Sequence, residues 1–300
     1  MIYQQMLTNP LSAIRQNSTW IFPGYPPSPA FRYLRERAVL YVHDLFLLTR
    51  KQDLNFAARF YMAPSFRQAI AGLRYFLANS AATQRQLSQH VSGDAHIQLY
   101  RPRVDNVFGL NESLRPNGDR LIVGSLGTVE PRKNFPAGAS ICRILAEILG
   151  CPVEFHVVGR PGWGDDFERL SKMPQVRLHG FLADDQARRV LETFDLFLCT
   201  SHDEGLGLPL LEMQYAGVPV VAPDDDIFRE VLGNSGIYIP TDASRAAAAI
   251  ALELQRPNWR SSAAACAKAN VARWNRQADI DRSNVIAFLM DMRGRIARCH

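Results

Sequence analysis

The sequence predicts an α/β protein built on parallel sheets. Three observations carry that prediction. After residue 120, short apolar runs with strand character alternate with helical patterns. The turns leading from those runs into the helices hold glycines and charged side chains, as a ligand-binding strand end does. And 300 residues, 47 % of them hydrophobic and 21 % charged, are enough for two ordinary cores. The same figures exclude a disordered chain, a collagen-like repeat and a disulfide miniprotein. Lys and Arg number 34 against 29 Asp and Glu, a net charge of +5. That balance suits an anionic ligand or an anionic membrane surface, and equally a scattered surface excess of arginine.

In chain order, 38–42 reads as a buried strand ending at His43-Asp44. Phe66, Ile70 and Leu73 have helical spacing, 75–78 is strand-like, 83–91 helical and 97–100 strand-like. The pattern then breaks between Arg101 and Asp119, where prolines, asparagines and glycines suggest a linker. Strands are predicted at 121–125, 153–158, 176–179, 196–200, 219–222 and 236–239. Helices are predicted between them at 137–149, 166–173, 184–194, 208–216 and 227–232. The tail, 243–297, reads as two or three helices with breaks near Asn258 and Asn275-Arg276. The expected domains are 1–115, an abbreviated N-terminal unit, and 116–277, with a last helix at 278–298 returning to the first.

The five cysteines (Cys142, Cys151, Cys199, Cys266 and Cys299) are odd in number, widely spaced and without a C-x-x-C. Neither a disulfide framework nor a zinc site is expected. The first ten residues lack a basic region followed by an apolar core, and no run of 18 apolar residues occurs. A cytoplasmic protein is expected, with peripheral membrane contact left open. The stretch 56–75, with Arg59, Arg67 and Arg74, fits an ordinary helix face better than a membrane-facing one.

Chemistry concentrates in two strings. The first is Ser201-His-Asp-Glu-Gly-Leu-Gly-Leu-Pro-Leu-Leu-Glu212, between a strand and a helix. Pro209 suits a helix start, where its missing N–H costs nothing. Gly205 and Gly207 allow close backbone approach to a ligand, and the free N–H groups there favour an anion. Glu204 and Glu212 can each accept hydrogen bonds from vicinal hydroxyls. The pattern suits a diphosphate at a helix start with sugars on either side. The second string is Gly124-Ser-Leu-Gly-Thr-Val-Glu-Pro-Arg-Lys-Asn134. Arg132-Lys133 can clamp a diphosphate and neutralise leaving-group charge without a metal, although a solvated basic loop is the plainer reading of this string alone. Asp224-Asp225-Asp226 reads as a solvated loop, since three adjacent acids do not face one point.

Together with Val158-Gly-Arg-Pro-Gly-Trp163 and Ala216-Gly-Val-Pro-Val220, these strings resemble the retaining nucleotide-sugar-dependent glycosyltransferases of family 4. The Glu204-x7-Glu212 spacing is that family's hallmark, and the bacterial mannosyltransferases of surface polysaccharide assembly are the most similar in pattern. The resemblance spans roughly 36–275 and implies the GT-B fold, two Rossmann-like domains facing a cleft. It implies that Arg132 and Lys133 contact the donor diphosphate and that Glu212 binds the ribose. Glu204 would contact the transferred sugar, with Gly205, Leu206, Gly207 and Leu208 around sugar and phosphates. Gly127, in the loop leading to the basic pair, would also be a donor-binding residue. Gly159 and Arg160 would lie at the mouth of the donor site, and Gly180, Phe181 and Leu182 would border the base. His43 matches a strand-end histidine facing the donor sugar; without the resemblance it is more simply a polar strand terminus.

No metal and no cofactor are expected, and no nucleic acid partner. The expected partners are a nucleotide sugar, GDP-mannose or a GDP-deoxysugar foremost, and a saccharide or lipid-linked saccharide acceptor. Two departures from the family stand out. His43 arrives early, and no opening strand with its glycine loop is evident within 1–29. The acceptor side is therefore abbreviated, or completed by a homo-oligomer or partner chain. The alternative function is a non-catalytic or partner-dependent subunit that binds a nucleotide sugar. A sugar phosphorylase is disfavoured, for want of a lysine placed for pyridoxal phosphate.

Overall fold

A computed structural model describes residues 11–12, 18–50, 54, 58–112 and 118–298. The chain divides into two compact units, Met1–Arg103 with Arg276–His300, and Val104–Asn275.

The first unit holds a parallel sheet in the order β1-β2-β3-β4, formed by Trp20–Pro23, Ala38–Val42, Tyr75–Ala78 and His96–Leu99. Side chains alternate across it, as strand geometry requires. Leu40, Val42 and Phe76 point to one face and join Phe31, Phe66, Ile70 and Leu87 in one cluster. Val39, Tyr75 and Leu77 point to the other and meet Val285 and Met292 of the last helix. Both faces are thus covered, the condition under which a parallel sheet persists. Arg101 clasps the same helix through a 2.8 Å pair with Asp281, both side chains well buried.

The opening strand that the sequence did not reveal is present. Trp20–Pro23 pairs in parallel with β2, Trp20 opposite Ala38, and Gly24 follows at φ +97°. Its signal is hidden because the apolar run is only four residues long and runs straight into Pro23-Gly24-Tyr25-Pro26-Pro27. Residues 1–10 and 13–17 lie outside the described residues, as do Cys299 and Phe56.

The second unit holds six parallel strands in the order β10-β9-β8-β5-β6-β7. These are Leu121–Leu126 (β5), Val153–Val158 (β6), Val176–Gly180 (β7), Leu196–Leu198 (β8), Val220–Pro223 (β9) and Gly236–Ile239 (β10). From β5 the chain winds outward through β6 and β7, then returns to the other side of β5 for β8, β9 and β10. The reversal lies between β5 and β8, the place where open α/β sheets bind ligands. Helix Phe135–Leu149 follows β5 and ends at Gly150, φ +65°, whose N–H returns to the Ala146 carbonyl. Its buried face packs on Ala246, Ala247, Ile250 and Ala251 of helix Ala243–Leu254. The alanine-rich stretch is therefore core, small enough for the two helices to approach closely.

The tail is two helices, not three. A break does fall at Asn258, φ +57°, but helix Trp259–Arg298 runs unbroken through Asn275-Arg276. Asparagine costs a helix interior only a few tenths of a kcal/mol. Here its amide is also used twice: Oδ1 accepts from Val104 N–H and Nδ2 donates to Val104 C=O, both at 2.9 Å. The Tyr215 hydroxyl donates to the same carbonyl at 2.9 Å.

Candidate functional site

The two strings emerge from the carboxyl ends of β5 and β8, either side of the reversal. After β5 the chain turns at Gly127, φ +144°, where a Cβ would press on Lys133 Cε at 3.3 Å. A short 3₁₀ turn, Pro131–Lys133, then hands over to helix Phe135–Leu149 through Asn134, which takes the left-handed conformation at φ +50°. After β8, Thr200 ties the two loops together, its hydroxyl donating to the carbonyls of Lys133 at 3.0 Å and Asn134 at 2.9 Å. The His202 N–H donates to the Arg132 carbonyl at 2.9 Å. Gly207 adopts φ +77° at the cap of helix Leu208–Met213, where a Cβ would meet Leu210 at 2.9 Å.

These loops converge on Glu204, whose side chain is 9 % exposed. Lys133 Nζ lies 2.5 Å from Oε1 and Arg132 3.0 Å from Oε2. The Ser201 hydroxyl donates to Oε1 at 2.7 Å. Burial alone would raise the Glu204 pKa; the two cations and the hydrogen bonds from Lys133 and Ser201 outweigh it, and the value lies below the ordinary 4.5. Arg132 is held on its other side by buried Glu130 at 2.7 Å and donates to the Asp203 carbonyl at 2.9 Å. Burial opposes its charge, but Glu204 and Glu130 together raise its pKa further. Two cations thus face two carboxylates. Glu130 and Ser201 stand inside quoted strings, and Thr200 just before one, but none of them is given a role in the sequence; only the fold shows what they hold.

Glu212 differs. It is half-buried, and among the described residues its carboxylate has no hydrogen bond or ion pair. Burial raises its pKa. A desolvated carboxylate without a partner is an acceptor awaiting donors. Leu206 is buried, whereas Leu208 is exposed.

The third string, Val158–Trp163, packs against the second, with the Val129 N–H donating to the Arg160 carbonyl at 3.0 Å. The Gly159 N–H donates to the Gly180 carbonyl at 2.9 Å, and a Cβ on Gly159 would stand 1.8 Å from the Gly127 carbonyl oxygen. Gly159→Ala is therefore expected to force the 127–133 loop to move, at a cost of about 1–3 kcal/mol in urea denaturation. Gly93→Ala, with open space around it, is the near-neutral control. The Arg160 guanidinium sits 5.1 Å over the Phe181 ring, which is 74 % exposed, and Leu182 beside it is half-buried. Gly180 carries φ +68°.

His43 belongs to the first unit. It directly follows β2 and is exposed, its ring 4.4 Å from that of Tyr41. Partial burial lowers its pKa, with Asp44 opposing. A Cβ at Gly24 would lie 2.8 Å from its ring, so the glycine after β1 makes room for this histidine. Among the described residues no group of three His, Cys, Asp or Glu side chains could hold a metal. Asp224 is engaged by Arg229 at 2.5 Å, and Asp225 caps the next helix through Asp226 N–H.

Residues 120–256 match the family model "Glycosyl transferases group 1". O-antigen chain mannosyltransferase B of Escherichia coli is 32 % identical over 146 residues, 47 % of this chain and 38 % of that protein. The matched part thus spans well under half of that relative's length. Among solved structures, the sucrose-phosphate synthase of Thermosynechococcus elongatus superposes with a TM-score of 0.73, at 16 % identity, over 95 % of this chain and 76 % of that one. Anabaena HepE, in complex with UDP and glucose, gives 0.61 at 20 % identity, over 85 % and 74 %. Residues 120–256 are a glycosyl transferases group 1 domain, and the chain, with a parallel sheet in each unit, has the GT-B fold and resembles the bacterial mannosyltransferases of that group.

Proposed function

We propose that this chain is a retaining, metal-independent glycosyltransferase acting in surface polysaccharide synthesis. It moves a hexose, mannose foremost, from a nucleotide-diphosphate donor to a saccharide or lipid-linked saccharide. The observation that carries this reading is the placement of Arg132, Lys133, Glu204 and an unpartnered Glu212 at one reversal point of a parallel sheet. Arg132 and Lys133 neutralise the diphosphate as charge builds on it, worth several kcal/mol in a desolvated setting. Glu212 accepts from the ribose hydroxyls, and Glu204 from the sugar. The bond from the anomeric carbon to the phosphate oxygen breaks, the acceptor hydroxyl oxygen bonds to the same face of that carbon, and its proton passes to the departing phosphate. The nucleoside diphosphate leaves. The protein's part is positioning and charge stabilisation. Contact with a membrane surface would suit a lipid-linked acceptor; no helix among the described residues is long and apolar enough to cross one.

A thermal-shift panel of GDP-, UDP-, dTDP- and ADP-sugars tests the reading, because a ligand that binds only the folded state raises the melting point by mass action. A GDP-sugar is expected to raise it most. Glu212→Ala should weaken that nucleotide by about ten- to a hundredfold, the value of hydrogen bonds to a charged acceptor. Unchanged affinity would remove Glu212 from the donor site. His43→Ala should lower turnover with the nucleotide shift intact. If the wild type binds a nucleotide sugar but neither hydrolyses nor transfers it, the protein is a binding subunit instead.

A further inference from the structure

The β10 edge of the second sheet carries a cavity of about 500 Å³. It is formed where β9 and β10 begin, under the end of helix Ala243–Leu254 and the first turns of Trp259–Arg298, so it is separate from the loops at the carboxyl ends. Tyr238 and Trp259 supply its aromatic lining. Each ring is braced by a guanidinium: Arg229 lies 4.7 Å from the Tyr238 centroid and Arg260 4.3 Å from that of Trp259. Both arginines are themselves neutralised, Arg229 by Asp224 and Arg260 by Asp195. The Tyr238 hydroxyl is spent on the Gly233 carbonyl, which fixes the ring further. Two fixed aromatic surfaces therefore line one concavity at little entropic cost to a ligand.

The polar lining decides the ligand class. Glu253 and Arg256 pair with each other at 2.7 Å, so no uncompensated cation lines the cavity. A phosphate-bearing or acidic ligand has no partner there. The Asn234 amide and the Ser262 hydroxyl, in contrast, make no hydrogen bond among the described residues. A ligand presenting hydroxyls around an apolar ring face fits both features, and the volume lies within the range of small-ligand pockets. We propose that this cavity binds a neutral saccharide, one residue stacked on Trp259 or Tyr238 and its hydroxyls met by Asn234 and Ser262. Resting on the transferase reading, it would be a holding site for glycan, remote from the place of transfer.

Cys266, exposed in the cavity wall, reports on its occupancy. Its alkylation by iodoacetamide is followed by peptide mass spectrometry, with mannotriose, maltotriose or chitotriose added at millimolar concentration. At least one is expected to slow alkylation several-fold in the wild type. Trp259→Ala and, independently, Asn234→Ala should abolish that protection while retaining the nucleotide-dependent rise in melting point, which also reports correct folding. Unchanged alkylation with all three sugars overturns the proposal. So does alkylation that slows only as the protein itself is concentrated, which would give the cavity to a second copy of the chain. Sugar protection without any nucleotide shift would keep this site and defeat the donor assignment; the reverse pattern would do the opposite.

Discussion

Glu204→Gln is expected to lower sugar transfer by about 10²–10³-fold, the usual loss when one electrostatic contact to a reacting group is removed. Affinity for the nucleoside diphosphate should not fall with it and should, if anything, tighten. The reason is that Glu204 neutralises Arg132 and Lys133, at 3.0 and 2.5 Å. The amide frees both cations for phosphate. A variant that had merely collapsed would lose binding and transfer together, so calorimetric titration beside a radiolabel transfer assay separates the cases. A second signature follows from linkage. The Glu204 pKa is lowered in the folded state, so its contribution to stability is present above the ordinary value of 4.5 and is lost as pH falls through the lowered one. Glu204→Gln should flatten that acid limb. Glu212 carries the opposite sign, because its raised pKa makes its charge a cost that disappears in acid.

Trp274→Ala should cost about 3–5 kcal/mol, the toll of emptying a core site of that size. Trp274 is fully buried, at 0 % exposure, and heads the largest such side chains. Against a total stability of about 5–15 kcal/mol, that loss brings the second unit close to unfolding at ambient temperature. Arg143→Ala, which removes an exposed pair with Glu147, should stay within about 0.5 kcal/mol and serves as the comparison. Chemical denaturation followed by circular dichroism measures both.

The second unit was legible because its inner strands β8 and β9 are buried on both faces and appear as plain apolar runs. At 153–158 and 236–239 the sequence reading has the bounds that the structure gives. The site was legible for a different reason: glycine, proline and charge recur at fixed offsets in three strings, and each string lies at or just beyond a strand end. Pairing across those strings was not legible. Lys133 and Glu204 are 71 residues apart, and no local pattern reveals that one neutralises the other. Glu130 was equally silent, because its work is to hold a neighbour.

The two corrections share a cause. Trp20–Pro23 lacks the length to declare itself and is a strand only because β2 lies beside it. Asn275 looks like a break by composition and is helical because Val104 satisfies its amide. In both cases tertiary contact overrides a weak local preference.

That contact has a wider consequence. Val104 and Asn275, the first and last residues of the second unit, are joined by two hydrogen bonds of 2.9 Å, with the Tyr215 hydroxyl closing on the same carbonyl. The unit is a closed excursion of the chain that returns to where it departed. Chain ends that meet in this way tolerate excision and circular permutation. A gene fragment for 104–275, or one rejoined across that point and opened at the turn 172–175, where Lys172 and Pro174 are exposed, should yield a free-standing fold on which the proposed donor site can be tested and engineered alone.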